Sequence, residues 1–219
     1  MNLPEKYLNS MKDMLKDDFD DYLESFNDKR LYGLRVNNLK ISTEDFLKIS
    51  PFKLTPIPSI ENGFYYEETD KPAKHPYYYA GLYYIQEPSA MTPANVLPID
   101  EGDVVFDMCA APGGKTTHIA ELMNNKGKIY AFDVHEHKIE LIKKNAERLG
   151  ITIIEPKLSD GCKIDESMIN TADKILCDVP CSGLGIIGRK PEIKWNRAED
   201  NDLPKIQRQI LDNASKYLK

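Results

Sequence analysis

Two short segments of this 219-residue chain carry residue types and spacings suited to chemistry. The first, Asp107-Met-Cys-Ala-Ala-Pro-Gly-Gly-Lys-Thr116, follows the apolar stretch 104–106 and opens a helical pattern. It reads as a strand–turn–helix loop built around a small ligand. Gly113 and Gly114 lack Cβ atoms, which lets the backbone approach such a ligand closely. The second segment, Asp178-Val-Pro-Cys-Ser-Gly-Leu-Gly185, follows Ile175 and Leu176 and sets a carboxylate and a thiol three residues apart in an exposed turn. A thiolate can add to carbon 6 of a pyrimidine, which makes carbon 5 enamine-like and able to attack an electrophilic methyl group. Cys181 presents such a thiol, Pro180 stiffens the turn, and Asp178 suits the N3/N4 edge of a cytosine. Cys181 and Asp178 are therefore the catalytic candidates.

Acidic residues recur where strands end. Asp133 closes the second strand, twenty residues after Gly113, and suits the two ribose hydroxyls of a nucleoside cofactor. Asp160 ends the loop after the third strand, within reach of an adenine edge, and Asp178 follows the fourth. For any one of them a capping or turn role is the alternative. A nucleoside triphosphate loop fits poorly, because its motif needs a glycine where Cys109 stands. The Gly-x-Gly-x-x-Gly pattern of dinucleotide sites is absent after the first strand.

The elements that must position these residues are legible from about residue 88. Strands at 104–108, 128–134, 151–155 and 174–178 alternate with helices at 116–123, 136–149 and 204–218. In 136–149, Ile139, Ile142, Ala146 and Leu149 share one face, and Gly150 stands where a C-terminal cap belongs. The alternation predicts an α/β fold with a parallel, doubly wound Rossmann-like sheet of about four strands over 88–219. A small α+β region at 1–87 precedes it. There, 4–27 has apolar residues at helical spacing, 32–37 reads as a strand, 43–49 as a helix capped by Ser42 or Thr43, and 63–66 as a further strand. The tyrosine-rich stretch 77–84 is expected to pack between the two regions.

Composition is that of an ordinary soluble globular protein: 41% hydrophobic, 29% charged, with no apolar run of membrane-spanning length. The first residues lack a charged and then apolar leader pattern, so secretion is not expected. Cysteines 109, 162, 177 and 181 fit neither a disulfide framework nor a paired metal site, which predicts reduced cytoplasmic thiols and no metal. Cys177, within a strand, is expected in the core; Cys162 has no motif. The net charge of −6 argues against a non-specific nucleic-acid binder. It leaves room for a local basic face, and Arg189, Lys190, Lys194 and Arg197 cluster beside the cysteine loop.

Both motif segments, with Leu34-Arg-Val-Asn-Asn38 and Gly81-Leu-Tyr-Tyr-Ile-Gln-Glu-Pro-Ser-Ala90, resemble the Nop/Sun (RsmB/Nop-type) family of S-adenosylmethionine-dependent RNA cytosine-5 methyltransferases. The resemblance covers nearly the whole chain and is specific in 81–118 and 174–195. It implies that Cys109, Ala110, Ala111, Pro112, Gly113, Gly114, Lys115, Asp133, Asp160 and Asp178 line a site for S-adenosyl-L-methionine. It implies an RNA partner, ribosomal RNA by its branch, and a target cytosine flipped out of its stack. Residues 188–195 would flank the RNA cleft, with Arg189 and Lys190 on phosphate and Trp195 on a base or in a core gap. In the family's RNA enzymes the attacking cysteine lies in a later Thr-Cys motif, and the residue matching Cys181 helps release product. In the related DNA enzymes the Pro-Cys cysteine is itself the nucleophile. No Thr-Cys motif occurs in this sequence. The expectation is thus a C-terminally truncated sheet. The alternative to an active enzyme is a non-catalytic cofactor- or RNA-binding fragment whose uncovered sheet edge self-associates or takes a partner.

Overall fold

A computed structural model describes residues 3–183, 186, 193 and 202–219. The chain divides into two compact units, residues 31–179 with 205–219, and residues 1–30 with 180–204. In the smaller unit, the periodic stretch 4–27 forms a pair of helices, α1 (Glu5–Leu15) and α2 (Phe19–Glu24). They bury Leu3 and Tyr7 against Leu8, Met11, Tyr22, Leu23 and Phe26, and the Tyr7 and Tyr22 hydroxyls hydrogen-bond to one another.

The larger unit holds two four-stranded sheets. The first is antiparallel, built from β1 (Tyr32–Val36), β2 (Thr55–Pro56), β3 (Gly63–Tyr66) and β4 (Tyr83–Ile85) in the order β2-β3-β1-β4. Alternation along β1 sends Leu34 and Val36 to one side. There they pack with Phe64, Tyr83 and Phe46 of helix α3 (Thr43–Ile49). The Ser42 hydroxyl caps α3 by accepting from the Asp45 amide at 3.0 Å.

The second sheet is parallel: β5 (Val104–Asp107), β6 (Lys128–Asp133), β7 (Ile154–Leu158) and β8 (Lys174–Leu176), in the order β7-β6-β5-β8. Alternate residues serve opposite faces. Val105 and Ile129 pack with Ile119, Ala120 and Met123 on one side, with Leu149 in the same cluster. Phe106 and Phe132 pack on the other side with Ile210, Ala214 and Tyr217. In chain order the helices are α4 (Pro76–Tyr79), α5 (Thr92–Val96), α6 (Gly114–Leu122), α7 (Glu136–Leu149) and α8 (Leu203–Tyr217). The chain runs outward from β5 through β6 to β7 and then returns to β8 on the other flank. That reversal places the topological switch point between β5 and β8. Past α8, Leu218 bridges Ala172 in parallel and the Lys219 amide donates to the Ala172 carbonyl at 3.0 Å. No helix among the described residues is long and apolar enough to cross a membrane.

Several boundaries differ from the sequence expectation. The third parallel strand lies at 154–158 rather than 151–155, because Gly150 (φ +76°) turns the chain and Ile151 drops into the core before pairing starts. Glu155, Pro156 and Lys157 then pair only on the β6 side, so Pro156 stands in an edge strand where its missing N–H is tolerated. The fourth strand ends at Leu176, two residues early, and α6 begins at Gly114 rather than at 116.

The antiparallel sheet is tied to the C-terminus of α7. Asn37 Nδ2 donates to the Gly81 and Leu149 carbonyls at 2.9 and 2.8 Å, and Lys40 Nζ donates to those of Ala80 and Arg148 at 2.8 and 2.7 Å. The Arg148 guanidinium lies 4.2 Å over the Tyr78 ring and donates to the Tyr78 carbonyl. The tyrosine stretch thus packs where expected, between sheet and helix, although Tyr79 points to solvent.

Candidate cofactor site

Because all four strands of the second sheet run parallel, their carboxyl ends share one edge of the sheet. Asp107 closes β5, Asp133 closes β6, Asp160 follows β7 by two residues and Asp178 follows β8 by two. The loop Cys109–Lys115 crosses this edge. Met108 continues the β8 pairing by donating to the Leu176 carbonyl at 3.0 Å, and the Ala110 amide donates to the Phe132 carbonyl at 2.9 Å, so the loop starts between β8 and β6. The chain then passes the cis Ala111–Pro112 bond and turns at Gly113, whose φ of +97° is costly for any residue with a Cβ. A Cβ at Gly114 would lie 3.1 Å from the Tyr84 ring. The first amides of α6 project from this turn without intrahelical acceptors, an arrangement suited to an anionic ligand group.

Asp107 lies beneath the loop and is 1% exposed. Its Oδ2 accepts from the Thr116 hydroxyl at 2.7 Å, while Oδ1 has no hydrogen-bond partner among the described residues. Burial pushes its carboxyl up to about 6, against the opposing pull of Thr116, the Cys109 amide and the Lys115 charge. Lys115 Nζ reaches Asp178 Oδ2 at 2.5 Å, joining the loop to the segment after β8. Asp133 is buried, and its Oδ1 accepts from the His135 amide at 3.0 Å with Lys138 Nζ 3.5 Å away. Asp160 accepts from the Cys162 amide at 3.0 Å. Helix α8 steadies that loop through Asn213 Nδ2 on the Gly161 carbonyl (3.0 Å) and Gln209 Nε2 on the Cys162 carbonyl (2.9 Å).

The cysteines separate by environment. Burial, reinforced by Asp107, pushes Cys109 up to about 12 and Cys177 up to about 11, so both stay thiols at neutral pH. Burial also raises Cys162. Cys177 packs against the core as expected, although it follows the strand, which ends at Leu176, rather than lying within it. Cys181 is exposed and belongs to the smaller unit. Arg189, Lys190, Lys194, Trp195 and Arg197 lie outside the described residues. No group of three His, Cys, Asp or Glu residues among the described residues is arranged to hold a metal.

Sequence reasoning passed over three residues near the loop. Asp107 has no assigned role in the motif, yet burial raises its carboxyl well above the ordinary range. Arg35 and Glu121 form a fully buried pair at 2.8 Å beside α6. The alternation of β1 carried no clear signal for Arg35, because a charged residue in a strand reads as solvent-facing.

The parallel sheet, the reversal at β5 and the glycine loop define a Rossmann-like S-adenosylmethionine-dependent methyltransferase domain. The donor set fits that cofactor: free helix amides, a Cβ-free approach at Gly113 and Gly114, and a ring of carboxylates at the strand ends. The chain belongs to the 16S rRNA methyltransferase RsmB/F family, whose model matches residues 94–219, while the model for the N-terminal domain of 16S rRNA methyltransferase RsmF matches residues 3–88. It is 35% identical over 228 residues to ribosomal RNA small subunit methyltransferase F of Citrobacter koseri, covering 96% of this chain and 47% of that protein. It is 46% identical over 138 residues to probable ribosomal RNA small subunit methyltransferase B of Bacillus subtilis, covering 62% of this chain and 31% of that one. Among solved structures, that of PH0851 superposes with a TM-score of 0.91 at 33% identity, over 99% of this chain and 51% of its own. The chain therefore spans about half the length of the type F relative, and less of the type B one.

Proposed function

We propose that this chain belongs to an enzyme that transfers a methyl group from S-adenosylmethionine to carbon 5 of a cytosine in ribosomal RNA, acting in the cytoplasm. Residues 1–87 form its N-terminal α+β region, a candidate RNA-binding part, and residues 88–219 its cofactor domain. The observation that carries this reading is the Lys115–Asp178 pair, which couples the glycine loop to the Asp-x-Pro-Cys segment.

In this reading Cys109 through Lys115, Asp133, Asp160 and Asp178 hold the cofactor, which supplies an electrophilic methyl group when bound. Asp133 accepts from ribose hydroxyls, and Asp160 meets the adenine edge. Asp178, oriented by Lys115, accepts from the exocyclic amine of the flipped cytosine. Cys181 is the thiol assigned to carbon 6. Because burial holds Cys109 and Cys177 as thiols, neither competes for that role. Arg189 and Lys190 are assigned to RNA phosphate.

The test is transfer of labelled methyl to undermethylated small-subunit ribosomal RNA, with Cys181→Ala alongside. Label on cytosine that is lost in the variant supports Cys181 as nucleophile. The coverage of only about half of the type F relative favours a second reading, a cofactor-binding portion whose nucleophile lies elsewhere. Cofactor binding without any transfer, restored by a longer form, would establish that second reading.

A further inference from the structure

The antiparallel sheet reaches the glycine loop through Arg35 of β1, and through Tyr84 and Gln86 at and just past β4. Arg35 is fully buried. Its Nε and Nη2 donate to the two carboxylate oxygens of Glu121 on α6 at 2.8 and 2.9 Å, and Nη2 also reaches Thr117 Oγ1 at 3.3 Å. Its Nη1 donates to Gln86 Oε1 and, at 3.4 Å, to the Gly114 carbonyl. Two guanidiniums lie over the Tyr84 ring, with Arg35 Cζ 5.5 Å and Arg148 Cζ 5.7 Å from its centroid. The edge of the same ring abuts Gly114, so that a Cβ there would lie 3.1 Å from it, a tight contact.

These contacts meet at one peptide group. The Gly114 carbonyl that Arg35 engages and the Lys115 amide are opposite ends of a single planar unit, so holding one end sets the direction of the other. The Lys115 amide belongs to the first turn of α6, where amides have no intrahelical acceptor and are available to a ligand. Lys115 is also the residue whose side chain meets Asp178.

We propose that Arg35 and Tyr84 are positioning residues for the cofactor: the N-terminal sheet sets the orientation of the Gly114–Lys115 peptide and thereby the affinity of the loop. The inference rests on reading 109–115 as the cofactor loop. It makes the small sheet a working part of the cofactor site, in addition to any part it has in binding RNA.

The experiment uses the full chain, with S-adenosylhomocysteine as the calorimetric ligand. It compares the wild type with Tyr84→Leu, Tyr84→Phe and Arg35→Lys, at a temperature where each retains its folded circular-dichroism signal. Amide hydrogen exchange is read in parallel at 113–117 and at β6. Small misplacements of binding groups are costly, so Tyr84→Leu and Arg35→Lys are expected to raise Kd by about tenfold or more. Exchange should quicken at 113–117 and stay unchanged in β6, while Tyr84→Phe, which keeps the ring against Gly114, should restore wild-type affinity. Unchanged Kd in both Tyr84→Leu and Arg35→Lys, with tight binding by the wild type, would overturn the proposal. So would equal weakening by Tyr84→Leu and Tyr84→Phe. Should Tyr84→Leu not fold, Arg35→Lys decides alone by the same criteria. A wild type that binds no ligand would instead overturn the reading of the loop itself.

Discussion

Thr116 donates its hydroxyl to Asp107 at 2.7 Å, and the other oxygen of the same buried carboxylate has no partner among the described residues. The loop is therefore built over a group that resists ionisation. Asp107 titrates near 6 in the folded chain against an ordinary value of 3.8. Below about pH 4 it is protonated whether folded or not and costs nothing. As pH rises through 4 to 6 the unfolded state ionises more readily, and stability falls. The full cost, present above about pH 6, is about 3 kcal/mol for a shift of this size. The variant Asp107→Asn should lack this term. Its stability relative to wild type, from urea unfolding, should rise between pH 4 and pH 7 by up to that amount; a constant difference across this range would contradict the assignment.

Lys115 and Asp178 form a pair whose acidic partner is half exposed. Such pairs contribute about 0–1 kcal/mol to folding. Lys115→Gln should accordingly leave the unfolding midpoint nearly unchanged. Its expected effect is functional: methyl transfer in the labelled assay should drop about a hundredfold, as for other losses of an orienting group.

Arg35 and Glu121 behave oppositely, because both are sealed from water. Burial raises the pKa of Glu121 despite the guanidinium beside it. Removing one partner strands the other charge, so Arg35→Met or Glu121→Leu alone should cost about 3–5 kcal/mol. The double variant fills the same volume with apolar atoms and should recover most of that loss. Denaturant unfolding of the three variants forms a cycle that reads the coupling directly.

Glycine positions give a further check on the junction between the small sheet and α7. Gly81 sits at φ +71°, and a Cβ there would fall 2.0 Å from the Arg148 carbonyl oxygen. Gly102 has φ +94° but open space around it. Gly102→Ala should cost about 1–2 kcal/mol from backbone strain alone. Gly81→Ala should cost clearly more, because the backbone contact must open as well, and thermal unfolding of the two variants ranks them.

Local pattern determined a good deal of this protein. The apolar spacing of Ile139, Ile142, Ala146 and Leu149, ended by Gly150, marked α7 at 136–149, and the structure has the same bounds. A cap at Ser42 or Thr43 and the glycine turn before α6 were equally legible, since capping, glycine turns and helical periodicity act over a few neighbouring residues. Strand limits were less so: Ile151 looks like the start of a strand, but its burial comes from packing behind Gly150 rather than from pairing. What only the tertiary structure decided is which polar groups are buried and with whom. Arg35 and Glu121 stand 86 residues apart in sequence, and each alone reads as a solvated charge. Asp107 resembles the other strand-end acids until Thr116 and the overlying loop exclude water from it. Desolvation is a property of the assembled surroundings, so no spacing in the chain announces it.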